Sequence, residues 1–187
     1  MEMKELLEVI QVQRHDFLNH LQVISGLVQL NKGDRVRDYI KQVCVEYERL
    51  SKITRLKSAE IKAVLLIAMN EAAKCQVEIL FEIETDMRSL GVPGDIAGVA
   101  LDRCMKHAIK FLAPPEVNDR RIKLTMSEGE KKITVKLGFP GVPAEVVKEA
   151  QEQMDLSRYL ESYGGSVRLA VTEKKAEIYM NFPKTKA

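Results

Sequence analysis

The interval between apolar residues near the start of this chain constrains its fold more than any other feature. Met3, Leu7, Ile10, Phe17, Leu21, Ile24 and Val28 recur by alternating fours and threes, interrupted only where Arg14 stands. A strand repeats every second residue, so this interval fits only an α-helix with one apolar stripe, of the kind that packs against other helices. The run stops at Asn31-Lys32-Gly33-Asp34, where Gly33 suits the left-handed conformation that closes a helix and Asp34 can cap the next. A second stripe follows in the same rhythm: Val36, Ile40, Val43, Tyr47, Leu50 and Ile53. Two long helices joined by so short a loop are antiparallel neighbours. A lone hairpin leaves most of both stripes wet, and no other segment supplies two more helices of that length. The spacing therefore predicts a homodimer, with two hairpins closing a four-helix bundle about a two-fold axis. The competing solution is a hairpin folded back on the rest of its own chain.

Composition narrows the possible partners. The 187 residues leave room for the hairpin and one compact α/β domain. Lys and Arg number 29 against 27 Asp and Glu, a formal charge of +2, with no dense basic block and no interleaved aromatics, so nucleic acid is not an expected partner. No apolar run approaches the ~20 residues that span a membrane, and the first residues lack a signal peptide's apolar core. Cys44, Cys75 and Cys104 stand about thirty residues apart, without a CxxC pair or a histidine at ligand spacing. They read as buried thiols in a reducing cytoplasm.

From Ser58 the pattern changes, which puts the boundary between a hairpin of residues 1–57 and an α/β domain of residues 58–187. Ile61–Lys74 is a short helix rich in Ala and Leu. Gln76–Thr85 alternates Val77, Ile79, Phe81 and Ile83 with glutamates, Leu80 excepted, as a half-buried strand does. Asp95 can cap a helix running to Leu112, stopped by Pro114-Pro115. Arg121–Met126 and Lys132–Leu137 read as a hairpin, Pro143–Tyr163 as a helix ended by Gly164-Gly165, and Val167–Val171 with Ala176–Phe182 as a last hairpin. The order α-β-α-β-β-α-β-β predicts helices on one face of a mixed sheet, so the whole chain is α+β.

The first helix carries two histidines in different settings. At about 100° per residue, His15 points roughly 130° away from the stripe's centre, into solvent, between Arg14 and Asp16. His20 falls roughly 90° away, on the flank beside Leu6, Gln13 and Leu27. An exposed imidazole on a rigid helix can attack an electrophile with one ring nitrogen while a hydrogen bond holds the other. A lone surface histidine is ordinarily nothing more than that; here the surrounding string matters. Arg14-His15-Asp16-Phe17-Leu18-Asn19-His20-Leu21-Gln22, continuing to Leu30, resembles the phosphoacceptor helix of the sporulation-initiation phosphotransferase family and of its relatives, the citrate- and fumarate-sensing histidine kinases. In that family an Arg-His-Asp/Glu-aromatic-x-Asn run carries the histidine that is phosphorylated. The resemblance implies that His15 is the phosphoacceptor, with Asp16 orienting the imidazole or taking its proton and Arg14 offsetting phosphate charge. Glu8, Gln11, Leu18, Asn19, Gln22 and Gly26 share His15's side of the helix and form the expected docking face for a partner.

The order of elements beyond Ser58 resembles the ATP-binding domain of histidine kinases, but the residues that do its chemistry are absent. Two asparagines expected on the helix before the first hairpin fall on Arg103 and His107, which suit Mg²⁺ badly. An Asp-x-Gly-x-Gly run falls on Leu137-Gly138-Phe139-Pro140-Gly141, and a glycine-rich lid on Gln153–Ser157, which has no glycine. The resemblance therefore implies a degenerate ATPase-like domain with no cofactor of its own. The expected function is a phosphotransferase that takes phosphate from one response-regulator receiver domain onto His15 and passes it to a second, the receivers supplying Mg²⁺. A sensor-less kinase that labels His15 from ATP and a non-enzymatic dimeric adaptor of histidine kinases are the alternatives.

Overall fold

A computed structural model describes residues 3–140, 156–172 and 175–185. The chain divides into two compact units, Met1–Arg55 and Leu56–Ala187.

The first unit is a hairpin of α1 (Met3–Gln29) and α2 (Gly33–Thr54). It turns at Asn31, not at Gly33 as the sequence suggests. Asn31 is left-handed (φ 54°), its amide donates to Val28 O at 2.9 Å, and the Lys32 amide reaches back to Leu27 O at 3.0 Å. This pair of bonds satisfies carbonyls that the helix end orphans, and asparagine enters the left-handed region more readily than other residues with a Cβ. Gly33 and Asp34 are thereby drawn into α2. Asp34 makes no capping bond and instead pairs with Arg37 at 3.3 Å in the first turn.

The face that α1 turns toward α2 is not the stripe read from the sequence. Leu6, Val9, His20, Ile24 and Leu27 are the partly or fully buried residues of α1 on that side, opposite Val36, Tyr39, Val43, Leu50 and Ile53 of α2. Leu7, Ile10, Phe17, Leu21 and Val28 stay 48–56% exposed, on a face rotated roughly 75° from the first. Ile40 and Tyr47 are the corresponding exposed pair of α2. A helix in a two-helix hairpin has only one face to bury, and the longer apolar run belongs to the adjoining one. Because the helices are antiparallel, rotating each the same way in sequence brings both exposed stripes to one side of the hairpin.

The second unit is a five-stranded sheet with helices on one face. Its elements are α3 (Ala59–Lys74), β1 (Glu78–Ile83), α4 (Gly94–Leu112), β2 (Arg121–Glu128), β3 (Lys132–Pro140), α5 (Leu156–Glu161), β4 (Ser166–Val171) and β5 (Lys175–Pro183). The sheet order is β1-β2-β3-β5-β4, with β1 parallel to β2 and the other pairs antiparallel. Of the helix expected over Pro143–Tyr163, the part before residue 156 lies outside the described residues. Ser58 Oγ accepts the Ile61 amide at 3.3 Å to start α3. α4 has no such cap: Asp95 lies inside its first turn and its carboxylate accepts the next amide, Ile96, at 2.9 Å. Gln76 (φ 56°) and Gly164 (φ 76°) close α3 and α5 in the same manner as Asn31 closes α1.

The core forms where the period-2 faces of β2, β3 and β5 meet α3 and α4. Ile122, Leu124, Met126, Ile133, Val135, Leu137, Ile178, Met180 and Phe182 lie under Leu65, Ile96, Leu101, Met105 and Leu112, all nearly or fully buried. Of the three thiols expected in the interior only Cys104 is there, its pKa pushed up to about 12 by burial. Cys75 is half-buried and Cys44 exposed, because Cys44 falls off the face that α2 turns to α1.

Glu128 ties the end of β2 to two distant segments. Its carboxylate accepts from Lys184 Nζ at 2.7 Å, Ser89 Oγ at 2.6 Å and Thr85 Oγ1 at 2.6 Å. The lysine first, then the two hydroxyls, hold its pKa at about 2 rather than 4.5. A carboxylate held low in the fold stabilises it above the unfolded value and loses that contribution as pH falls from 4.5 toward 2. The Glu128→Gln variant is therefore expected to melt at lower temperature than wild type at neutral pH. The gap should close over that acidic window in thermal melts followed by circular dichroism.

Candidate functional site

His15 stands near the middle of α1, on the side opposite both apolar stripes. Its side chain is 74% exposed. The ring is nevertheless oriented, because residues four apart on a helix are neighbours on its surface. Asn19 Nδ2 lies 3.0 Å from His15 Nδ1, and Asp16 Oδ1 lies 3.6 Å from the same nitrogen. No described residue bonds Nε2. With the amide nitrogen facing the ring, Nδ1 accepts and the ring proton sits on Nε2. A half-turn of the amide offers Oδ1 instead, so that Nδ1 carries the proton and Nε2 the free lone pair. The nearby Asp16 carboxylate favours the second arrangement, since it stabilises a proton on Nδ1.

His20 is placed differently from its expected flank position. It lies within the hairpin, with Nδ1 3.0 Å from Tyr39 Oη and its ring 5.9 Å from that of Tyr39 and 6.4 Å from that of Tyr47. The physical reason is the rotated packing face, which brings residue 20 in line with Ile24 and Leu27.

Gln11, Leu18, Asn19 and Gln22 are all exposed around His15, and Leu18 offers half of its surface to solvent. Glu8 and Gly26 border them, and nothing lies within 4 Å of where a Cβ on Gly26 would stand. Arg14 is exposed and has no ion-pair partner among the described residues, and its place in the helical interval is that of the exposed apolar stripe. The one role that sequence reading missed is that of Asn19, assigned to docking, whose amide holds the imidazole. The signal was present in its position one helical turn beyond His15.

Leu137 is fully buried in the core, where a carboxylate would have no ready partner. Phe139 is buried, and its ring stacks on Phe111 at 6.3 Å, while His107 lies tilted to Phe111 at 6.3 Å. These ring contacts link α4 to β3. His107 is held below its usual pKa by partial burial and then by Lys110 and Arg103, so it is disposed to be neutral. Neither it nor Arg103 is an oxygen ligand for a hard cation. Gly141 and residues 153–155 of the expected lid lie outside the described residues. Among those described, no group of three His, Cys, Asp or Glu could hold a metal ion, and no helix is long and apolar enough to cross a membrane.

Known proteins share both parts of this architecture. Residues 1–56 match the family described as sensor kinase SpoOB-type, alpha-helical domain. Over 57 residues the chain is 35% identical to Sporulation initiation phosphotransferase B of Bacillus subtilis (strain 168), a match covering 30% of each protein. Over 139 residues it is 23% identical to the sensor histidine kinase DcuS of Escherichia coli (strain K12), covering 72% of this chain and 26% of that protein. These matches thus span less than a third of either curated relative. The nucleotide-free catalytic domain of histidine kinase ThkA superposes with a TM-score of 0.53 at 16% identity, over 67% of this chain and 90% of that one. ThkA in complex with the response regulator protein TrrA gives 0.56 at 17% identity, over 95% of this chain and 61% of that one. At such identities the two structures speak for the fold alone: a helical part followed by a histidine-kinase-type α/β domain. The helical segment, residues 1–56, is thus similar to the helical domain of SpoOB-type sensor kinases.

Proposed function

We propose that this protein is a phosphorelay phosphotransferase that accepts a phosphoryl group on His15 from the aspartyl phosphate of one response-regulator receiver domain and delivers it to the aspartate of a second. The observation that carries the reading is the state of His15: exposed, away from every packing face, with Nδ1 bonded to Asn19, Asp16 3.6 Å from the same nitrogen, and Nε2 bonded by no described residue. In the forward step the Nε2 lone pair attacks phosphorus in line, the N–P bond forms, and the P–O bond to the donor carboxylate breaks. The positive charge that arrives on the ring is offset by Asp16, 3.6 Å from Nδ1. The reverse step returns the phosphoryl group to an aspartate oxygen. Such transfer depends on positioning and charge neutralisation, and the receiver is the expected source of Mg²⁺. Gln11, Leu18, Asn19 and Gln22 are the docking face, Leu18 meeting an apolar patch of the receiver. That ThkA has been crystallised with a response regulator supports receivers as the partner class.

Autophosphorylation from ATP is not part of the proposal. The aromatic row of His107, Phe111 and Phe139, and a leucine where the adenine-binding carboxylate is expected, favour transfer over kinase chemistry. The three free thiols suit a reducing compartment, and the cytoplasm is the proposed location. Incubation with labelled ATP alone should leave the protein unlabelled, whereas a phosphorylated receiver should label it. His15→Gln should abolish that labelling, and His20→Gln should retain most of it with some loss of stability. Labelling that survives the first substitution and disappears with the second rejects the assignment.

Asn19 has its own test. If its amide selects the tautomer, Asn19→Ala should shift the proton balance between Nδ1 and Nε2 of His15, read from imidazole ¹⁵N chemical shifts, and slow transfer without changing the fold. Unchanged shifts would remove Asn19 from the mechanism.

Dimerisation through the exposed stripe is the second part of the proposal. Leu7, Ile10, Phe17, Leu21 and Val28, with Ile40 and Tyr47 on the same side, form an apolar strip that a second hairpin covers. Light scattering at micromolar concentration should report a dimer. Leu21→Asp should dissociate it, because an unpaired charge buried at the seam costs several kcal/mol.

A further inference from the structure

The face of the sheet away from the helices carries a groove that the proposed phosphotransfer does not use. It has a volume of about 810 Å³ and runs over β3, β5 and β4. Lys131, Lys132 and Arg168 rim it, all exposed, and none has an ion-pair partner among the described residues. Its described lining contains no carboxylate. The floor is a polar rung across three strands: Thr134 Oγ1 donates to Asn181 Oδ1 at 3.0 Å, and Asn181 Nδ2 donates to Ser166 Oγ at 3.4 Å. That leaves the Ser166 hydroxyl proton to be offered to a ligand. Elsewhere on this face cations are matched. Lys123 pairs with Glu82 at 2.7 Å, Lys136 with Glu177 at 2.9 Å, and Lys175 also with Glu177. Unmatched positive charge on this face thus concentrates at the groove.

The spacing of the cations decides what kind of anion they fit. Arg168 stands across from Tyr179, which stands across from Lys136, so Lys132 is four residues along and two strands over from Arg168. With ~3.3 Å per residue and ~4.8 Å between strands, the two Cα atoms are about 16 Å apart on a diagonal. An extended peptide spans that distance with carboxylates four or five residues apart. The groove offers no free aromatic platform for a base. Tyr179 has Lys136 Nζ 5.1 Å from its ring centroid, and its hydroxyl donates to Glu177.

We infer that this groove is a docking site for an extended acidic segment of a partner protein. Charge complementarity at the two ends would set its placement, and the hydroxyl and amide rung would meet its backbone. The inference is independent of His15 and survives if the phosphotransfer reading fails.

The test uses the full chain and a short fluorescent peptide bearing a glutamate at every fourth position, with its glutamine counterpart as control. Fluorescence polarisation should show binding of the glutamate peptide that weakens as salt rises, and none of the glutamine peptide. The Lys132→Glu/Arg168→Glu double variant should weaken binding about tenfold or more. Both residues are exposed, so circular dichroism should be unchanged; if it is not, the Lys132→Ala/Arg168→Ala variant is measured instead and should also lose affinity. Equal binding of both peptides, or binding that the variants leave intact, would overturn the site. So would failure of the acidic peptide to bind while phosphatidylglycerol vesicles or a single-stranded oligonucleotide bind in a manner lost with the same variants.

Discussion

One geometric constraint governs the amino-terminal hairpin: a helix in a hairpin buries a single face, and α1 has more apolar surface than one face can hold. Leu6, Val9, Ile24 and Leu27 turn to α2, while Leu7, Ile10, Phe17, Leu21 and Val28 remain beside them, half wet. The two stripes together occupy well over a third of the helix circumference. The remaining arc is polar, and His15 lies at its centre. The exposure of the imidazole is therefore a by-product of how α1 must pack, and a small rotation of the helix cannot bury it. Any rotation large enough to do so would expose Val9 and Leu27.

The second unit makes a different point about the same chain. Its core depends on alternation in β2, β3 and β5 and on the apolar faces of α3 and α4, none of which requires a nucleotide. Residues that would touch phosphate or metal contribute little to such a core, so they can be exchanged without loss of fold. Phe139 shows the exchange going further: in place of an expected glycine, a large ring gains burial against Phe111. Burying such a ring removes on the order of 150–250 Å² from water, a stabilising term that a ligand-binding glycine does not provide.

Much of this was legible in the sequence wherever periodicity alone decides. Element order, both hairpins of the sheet, and the outward setting of His15 follow from intervals of two and of three or four. What was not legible depends on tertiary choice. The stripe with the strongest pattern in α1 is not the one that meets α2, because periodicity identifies apolar faces without saying which neighbour covers each. His20 moved from the flank into the hairpin for that reason. Asn31 in place of Gly33, and Asp95 inside the first turn of α4 in place of a cap, reflect boundaries that shift by one or two residues when a local hydrogen bond prefers it. Residue type alone puts Cys44 and Cys75 in the interior, and helix phase and position overrule it.

The parallel pairing of β1 with β2 bears on how the second unit assembles. Glu78 lies opposite Arg121, so seating β1 closes a loop that includes all of α4, whereas β2–β3 and β4–β5 close over short turns. Loop-closure entropy is met before non-local contacts compensate it, and rates fall as contacts become more distant in sequence. β1 is thus expected to find its place only after the two hairpins, β2–β3 and β4–β5, have closed. Until α4 has formed and crossed over, the edge of β2 stands open along its whole length, and that interval is when this chain is most exposed to pairing with the wrong strand.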